Sequence, residues 1–116
     1  MPELLAPVGN WTMLTAAIKA GADAVYFGIQ GMNMRAAATN FELKEVKKVV
    51  DFCHKHKVKA YCTVNVILFE AELKQLDKIL KTLKVAKIDA VICWDLAVVQ
   101  KCKELKIPIH LSTQAS

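Results

Sequence analysis

Apolar residues in this chain come in two rhythms that alternate from one end to the other. Short continuous apolar runs mark strands, and stretches with apolar positions three and four apart mark helices. The pattern predicts a first strand at Glu3–Ala6 and a helix capped by Asn10 that runs to about Ala20. The Asn10 side chain can accept the free N–H groups of the first helical turn, and Gly21 stops the helix. Asp23–Phe27 is a second strand, and a long loop follows over Gly28–Asn40. A second helix, about Glu42–His56, places Leu43, Val46, Val49, Val50 and Cys53 on one face. Val58–Val64 is a third strand. A third helix, Glu70–Lys84, carries a stripe of Leu73, Leu76, Ile79, Leu80 and Leu83. Ile88–Cys93, Leu96–Leu105 and Ile107–Ser112 complete the pattern as strand, helix and strand.

The strands show no clean alternation of polar and apolar residues, which points to a parallel sheet wrapped by helices. Five strands joined by four helices form about four βα units and a fifth strand. The chain also repeats. Asp23-Ala24-Val25 returns as Asp89-Ala90-Val91. Val49-Val50, Cys53, Lys57-Val58, Thr63 and Asn65 return as Val98-Val99, Cys102, Lys106-Ile107, Ser112 and Gln114 at one constant offset of 49 residues. Repeated units of this kind suit the N-terminal half of a TIM-type (β/α)8 barrel. The alternative is an open flavodoxin-like sheet, but no helix pattern follows the fifth strand and no phosphate loop follows the first. A whole barrel needs roughly 200 residues or more. The 116 residues are therefore expected to form a single partial barrel domain. Its outer strands belong to a longer protein or close against another chain, so self-association through the open barrel edges is expected.

Composition narrows the function classes. Hydrophobic residues make up 54% and charged residues 23%, enough apolar material for a packed core. No apolar run approaches the roughly 18 residues of a membrane span, and the start lacks a secretion signal. No membrane partner and a cytoplasmic location are expected. The net charge is +5, carried by 15 lysines and a single arginine, Arg35. Most lysines fall on helix faces, the pattern of a solvated exterior; a nucleic-acid surface would be helped by arginines and by aromatics interleaved with the cations, and both are few here, so direct nucleic-acid binding by this chain alone has only weak support. Cys53, Cys62, Cys93 and Cys102 match no metal spacing and are expected to be small buried hydrophobes. No metal site is expected.

In parallel α/β folds, sites lie beyond the carboxyl ends of the strands. The residues there are Asn10, then Asn33 and Arg35, then Asn65, then Trp94 and Asp95, then Ser112 and Gln114. Arg35 is either a bidentate carboxylate or phosphate ligand or a structural clamp for the long loop. Asn65, Ser112 and Gln114 are suited to orienting a ligand. Asp95 is expected to cap the fourth helix, and Glu3 to lie low in the barrel. His110 is read as a satisfied core histidine rather than a base, and with Tyr61 it is placed on the inner sheet face that an open half barrel leaves partly uncovered; His54 and His56 are read as solvent-facing. No catalytic residue emerges, because no Ser/His/Asp order or metal-spaced cluster is present.

These rim residues carry a family resemblance. Glu3 to Trp11, Ala20 to Gly28, Met32-Asn33-Met34-Arg35-Ala36, Asn40-Phe41, Asn65 and Leu111 to Ser116 resemble the N-terminal part of peptidase family U32, the collagenase-like peptidases. The resemblance covers the whole chain. It implies a TIM-type N-terminal region of a peptidase or hydrolase, with a peptide or RNA substrate for the full-length protein. Some relatives of this kind hydroxylate tRNA, ribosomal RNA or ubiquinone precursors with an iron–sulfur cluster. The cysteine signature that holds the cluster in longer relatives has no counterpart among these four cysteines, so no cofactor is expected in this chain, and the chain alone is expected to be inactive. The alternative to an enzyme half is a non-catalytic βα module for ligand binding or assembly.

Overall fold

The structure is a computed structural model that describes residues 4–28, 41–64, 73–93 and 96–111. Five strands and four helices alternate: β1 (Leu5–Pro7), α1 (Trp11–Lys19), β2 (Ala24–Phe27), α2 (Val46–Lys55), β3 (Lys59–Thr63), α3 (Leu73–Val85), β4 (Ala90–Cys93), α4 (Leu96–Leu105) and β5 (Ile109–Leu111). A 3₁₀ turn, Leu43–Glu45, leads into α2. All strand pairs are parallel and the order is β1-β2-β3-β4-β5. The flavodoxin-like alternative requires a different order and is excluded.

All four helices pack on one side of the sheet. Leu14 of α1, Val49 and Cys53 of α2, Leu80 of α3 and Val98 of α4 join Val25, Phe27, Ala60, Cys62, Val91 and Cys93 in a single buried cluster. Each fully buried side chain of this size contributes about 1.5–3 kcal/mol, so this face supplies most of the stabilisation. A sheet wound in one direction with helices on one face is the (β/α) arrangement of half a barrel. The other face carries only a small cluster, Ala24, Tyr61 and Ala90, with Tyr26 and Ile92 against it.

Strands β3, β4 and β5 begin later than the apolar runs predict, for one physical reason. Val58, Ile88 and Ile107 are buried, but their N–H groups close the preceding helices. They donate to the carbonyls of Cys53 (2.8 Å), Leu83 (3.1 Å) and Cys102 (2.9 Å). Ala22 does the same for α1, donating to Ala17 (3.1 Å). All four helices thus end in a Schellman turn, whose pivot must adopt the left-handed conformation. Gly21 fills that position after α1 with φ 89°; Lys57, Lys87 and Lys106 fill the other three with φ 61°, 66° and 59°.

The internal repeat is structural. Cys53 and Cys102 are both fully buried, and Lys57 and Lys106 share the left-handed pivot. Asp23 and Asp89 also play one role. The Asp23 carboxylate accepts from the Leu4 N–H (2.8 Å), and the Asp89 carboxylate accepts from the Ala60 N–H (2.7 Å). Each aspartate holds the start of the strand before its own in register. Asp89 additionally meets His54 Nε2 at 2.7 Å. His54 is partly exposed, as expected, but it is engaged in tying α2 to the start of β4 rather than merely solvated.

The first and second helices are joined by Trp11. Its indole N–H donates to Glu45 (3.0 Å), and its ring meets Phe41 and Phe52 edge-on at 5.7 and 5.8 Å. That hydrogen bond holds the Glu45 carboxyl below its usual range.

Candidate functional site

The parallel register fixes which side chains share the helix-free face. Leu5 pairs with Ala24, Pro7 with Tyr26, Tyr26 with Tyr61, Tyr61 with Ala90, Thr63 with Ile92, and Ile92 with His110. Alternation then sends Val25, Phe27, Ala60, Cys62, Val91 and Cys93 to the helices. The open face therefore presents Tyr26, Tyr61, Thr63, Ile92 and His110, the last three near the carboxyl ends of their strands.

His110 is not a core histidine. It is exposed, and its ring rests on Tyr61 with centroids 4.8 Å apart and planes tilted by 54°. Tyr61 beneath it is only 4% exposed. The structure puts His110 on the inner face with Tyr61, as expected, but exposed rather than satisfied within a core. Ile109 packs on the helix side, and His110 takes the other. The Thr63 hydroxyl donates to the Phe27 carbonyl at 3.3 Å, bridging the upper ends of β2 and β3.

Of the rim residues nominated from sequence, Asn10 is described. Its side-chain oxygen accepts from the Met13 N–H at 2.8 Å, so it caps α1 at the carboxyl end of β1. Asn33, Arg35, Asn65, Ser112 and Gln114 lie outside the described residues, as do Glu3 and Asp95. The sequence missed Tyr61 and His110 as site candidates. The available signal was the placement of His110 immediately before the rim residues Ser112 and Gln114, on a strand whose covering helix is not in the pattern.

The four cysteines behave as expected. None is in a disulfide and all are fully buried. Burial pushes the thiols of Cys53 and Cys102 up to about 12 and that of Cys62 higher still. A metal or iron–sulfur cluster takes deprotonated thiolates that converge on one point. Among the described residues no group of three or more His, Cys, Asp or Glu could hold a metal ion. The described residues do not fit a cluster. Nor do they form a nucleophile–base pair on the open face, since the cysteines all face inward and the Thr63 hydroxyl is occupied. What the described part of this face offers is an exposed imidazole resting on a buried tyrosine ring near the carboxyl ends of the strands.

No helix among the described residues is long and apolar enough to cross a membrane.

Comparison with known proteins agrees with this architecture. The solved structure of the U32 peptidase Mk0906 superposes on 96% of this chain and 47% of its own with a TM-score of 0.71, at 12% identity, a likeness of fold. A collagenase of Porphyromonas gingivalis is 42% identical over 113 residues, which is 97% of this chain and 27% of the relative. A tRNA hydroxylation protein P1 of Bacillus subtilis is 37% identical over 99% of this chain and 28% of the relative. A 23S rRNA 5-hydroxycytidine synthase of Escherichia coli is 36% identical over 97% of this chain and 17% of the relative. The chain thus spans about a quarter or less of the length of these curated relatives. The model of peptidase family U32 matches residues 9–116, and with these relatives it shows that the chain belongs to peptidase family U32.

Proposed function

We propose that this chain is the first half of a TIM-type (β/α)8 barrel in a cytoplasmic RNA-hydroxylating member of peptidase family U32, and that its open face forms one wall of the substrate site. The observation that carries the reading is the exposed His110 ring lying on Tyr61 near the carboxyl ends of the strands. The exposed His110 ring, backed by the buried Tyr61, can stack on a nucleobase, an interaction worth about 1–3 kcal/mol per base. The names of the Bacillus and Escherichia relatives support RNA as the substrate class. In this account residues 1–116 form one partial barrel domain. The rim residues Asn10, Asn33, Arg35, Asn65, Ser112 and Gln114 surround the bound nucleotide, with Arg35 as the bidentate phosphate ligand. In isolation, two copies of the chain meet through their open faces and edge strands.

The test is nucleoside mass spectrometry of RNA from an Escherichia coli strain that lacks its tRNA hydroxylation protein P and expresses the protein carrying this chain. Restored hydroxylated nucleosides with the native sequence, and at least a tenfold loss in His110→Ala at equal protein abundance, are expected. Release of peptides from gelatin that depends on His110, with no change in RNA, would overturn the reading in favour of a peptidase.

A further inference from the structure

Some lysines on the helix flanks are held by carboxylates, while Lys48 and Lys78 on the same flanks are exposed with no ion pair among the described residues. On the helix flanks and toward the helix starts, Lys44 pairs with Glu42 (3.3 Å), Lys47 with Asp51 (3.2 Å) and Lys81 with Asp77 (2.9 Å). At the end where the strands begin, Lys57, Lys87 and Lys106 are exposed, and among the described residues no carboxylate lies within ion-pair distance of them. The two aspartates at that end are engaged elsewhere. Asp23 holds the Leu4 N–H, and Asp89 holds the Ala60 N–H and His54.

The backbone makes this placement notable. All three lysines occupy left-handed pivots, with φ between 59° and 66°. The equivalent turn after α1 uses Gly21, the residue that such a conformation favours. Lysine has a Cβ and is disfavoured there. Helix-dipole compensation does not require these lysines either, because the last turns already carry Lys19, Lys55, Lys84 and Lys103. Three side chains with a Cβ at positions that favour glycine are a local cost that folding does not require, which points to a use for the lysines themselves.

The topology sets the three in a row. They precede β3, β4 and β5, which are adjacent in the sheet. Neighbouring strands lie roughly 4.8 Å apart and packed helices roughly 8–10 Å apart, so the pivots follow one another at intervals in that range. The residue after each lysine, Val58, Ile88 or Ile107, is buried beneath it, and among the described residues the exposed large apolar side chains at this end are two single aliphatics, Leu4 and Val85, with no exposed aromatic beside the row. Protein partners are held chiefly by buried aromatic and aliphatic anchors. A line of point charges on flexible stems suits a line of phosphates, contacted without regard to base sequence.

We infer that Lys57, Lys87 and Lys106 form a docking row for the phosphate backbone of RNA at the end of the sheet opposite the carboxyl rim. The inference rests on the reading of RNA as the substrate class. It adds a second contact region, one that holds the RNA away from the reacting nucleotide.

The test exploits the strained turns. Lys57→Gly, Lys87→Gly and Lys106→Gly together remove three charges while installing the residue that the pivot prefers, so the variant keeps its fold. Fluorescence anisotropy with an unmodified tRNA transcript, titrated at several salt concentrations, compares it with the native chain. The comparison variant removes three ion-paired lysines by Lys44→Gln, Lys47→Gln and Lys81→Gln. The glycine variant is expected to bind roughly tenfold or more weakly at low salt, and its salt dependence to fall by about two to three counterions. Its unfolding temperature should be equal or higher, and the glutamine variant should change far less in affinity. No binding of tRNA by the native chain, unchanged binding by the glycine variant, or equal losses in both variants would overturn the inference. If hydroxylation in cells depends on His110 while the glycine variant binds and acts normally, the docking row fails and the substrate reading stands.

Discussion

The two faces of the sheet are made by the same strands and differ in how they are covered. On the helix side, Val25, Ala60, Cys62, Val91 and Cys93 are fully buried and locked against four helices. On the other side Ala24, Tyr61 and Ala90 are buried as a small cluster, but Leu5 is 41% exposed, His110 is exposed, and Tyr26, Thr63 and Ile92 are only partly covered. One face is a finished core; the other has the composition of a core, and among the described residues no helix packs on it. In a closed (β/α)8 barrel such a face lies inside, with side chains from successive strands stacked in layers. The Tyr61–His110 pair is what the described strands contribute near the top of those layers.

The sharpest way to break this comparison is to truncate one residue on each face. Leu80→Ala, in the buried cluster, is expected to cost about 2–5 kcal/mol. Leu5→Ala, on the open face, should cost about 1 kcal/mol or less. Urea denaturation of both variants checks this, and equal losses would mean that the open face is as well packed as the other.

The two repeated aspartates sharpen it next. Asp89→Ala leaves the partly buried Ala60 N–H without its acceptor and frees His54, for about 1–3 kcal/mol. Asp23→Ala exposes the Leu4 N–H, which lies where water can replace the carboxylate, so its loss should be smaller. The same denaturation series measures both, and a reversed order would contradict the role assigned to Asp89.

The thiols give the smallest of these effects. Cys53 and Cys102 ordinarily titrate near 9.0 and are pushed up to about 12 by burial. A group whose folded value is raised contributes stability that is fully present below the unfolded value and is lost as pH rises toward the folded one. The urea midpoint should therefore hold steady from pH 6 to 8 and fall above about 9, by at most about 1.4 kcal/mol per thiol at pH 10. Cys53→Ala with Cys102→Ala should flatten that part of the profile. Labelling by a thiol reagent at pH 8 should proceed only as fast as the chain unfolds.

Much of this architecture is legible in the sequence, and the misreadings have local causes. Helix α4 has the predicted bounds because its apolar spacing is regular and a turn closes it. The strand starts are misjudged at Val58, Ile88 and Ile107 because an apolar residue that closes a helix cannot be told by type from one that opens a strand. The three left-handed lysines leave no trace in residue type, since glycine is the usual mark of that turn. The Asp23 and Asp89 repeat is visible as a repeat, but its purpose depends on partners 19 and 29 residues away. The shared inner face of Tyr61 and His110 is legible from alternation and the half-barrel reading, whereas the contact between their rings depends on residues 49 positions apart and has no local signature. The contact between His54 and Asp89 spans 35 residues and has no local signature.

The central claim is that the open face is an unfinished interior, and the mass of the isolated chain in solution tests it most directly. Two copies that cover that face should bury more than about 1,200 Å² in total, enough for a stable assembly. Sedimentation equilibrium at micromolar concentration should therefore give at least twice the 12.9 kDa of one chain. Ile92→Asp, which places a charge in the middle of the open face, should return the mass to that of one chain with the helical content intact. A native chain that sediments at 12.9 kDa across the whole concentration range would contradict the account.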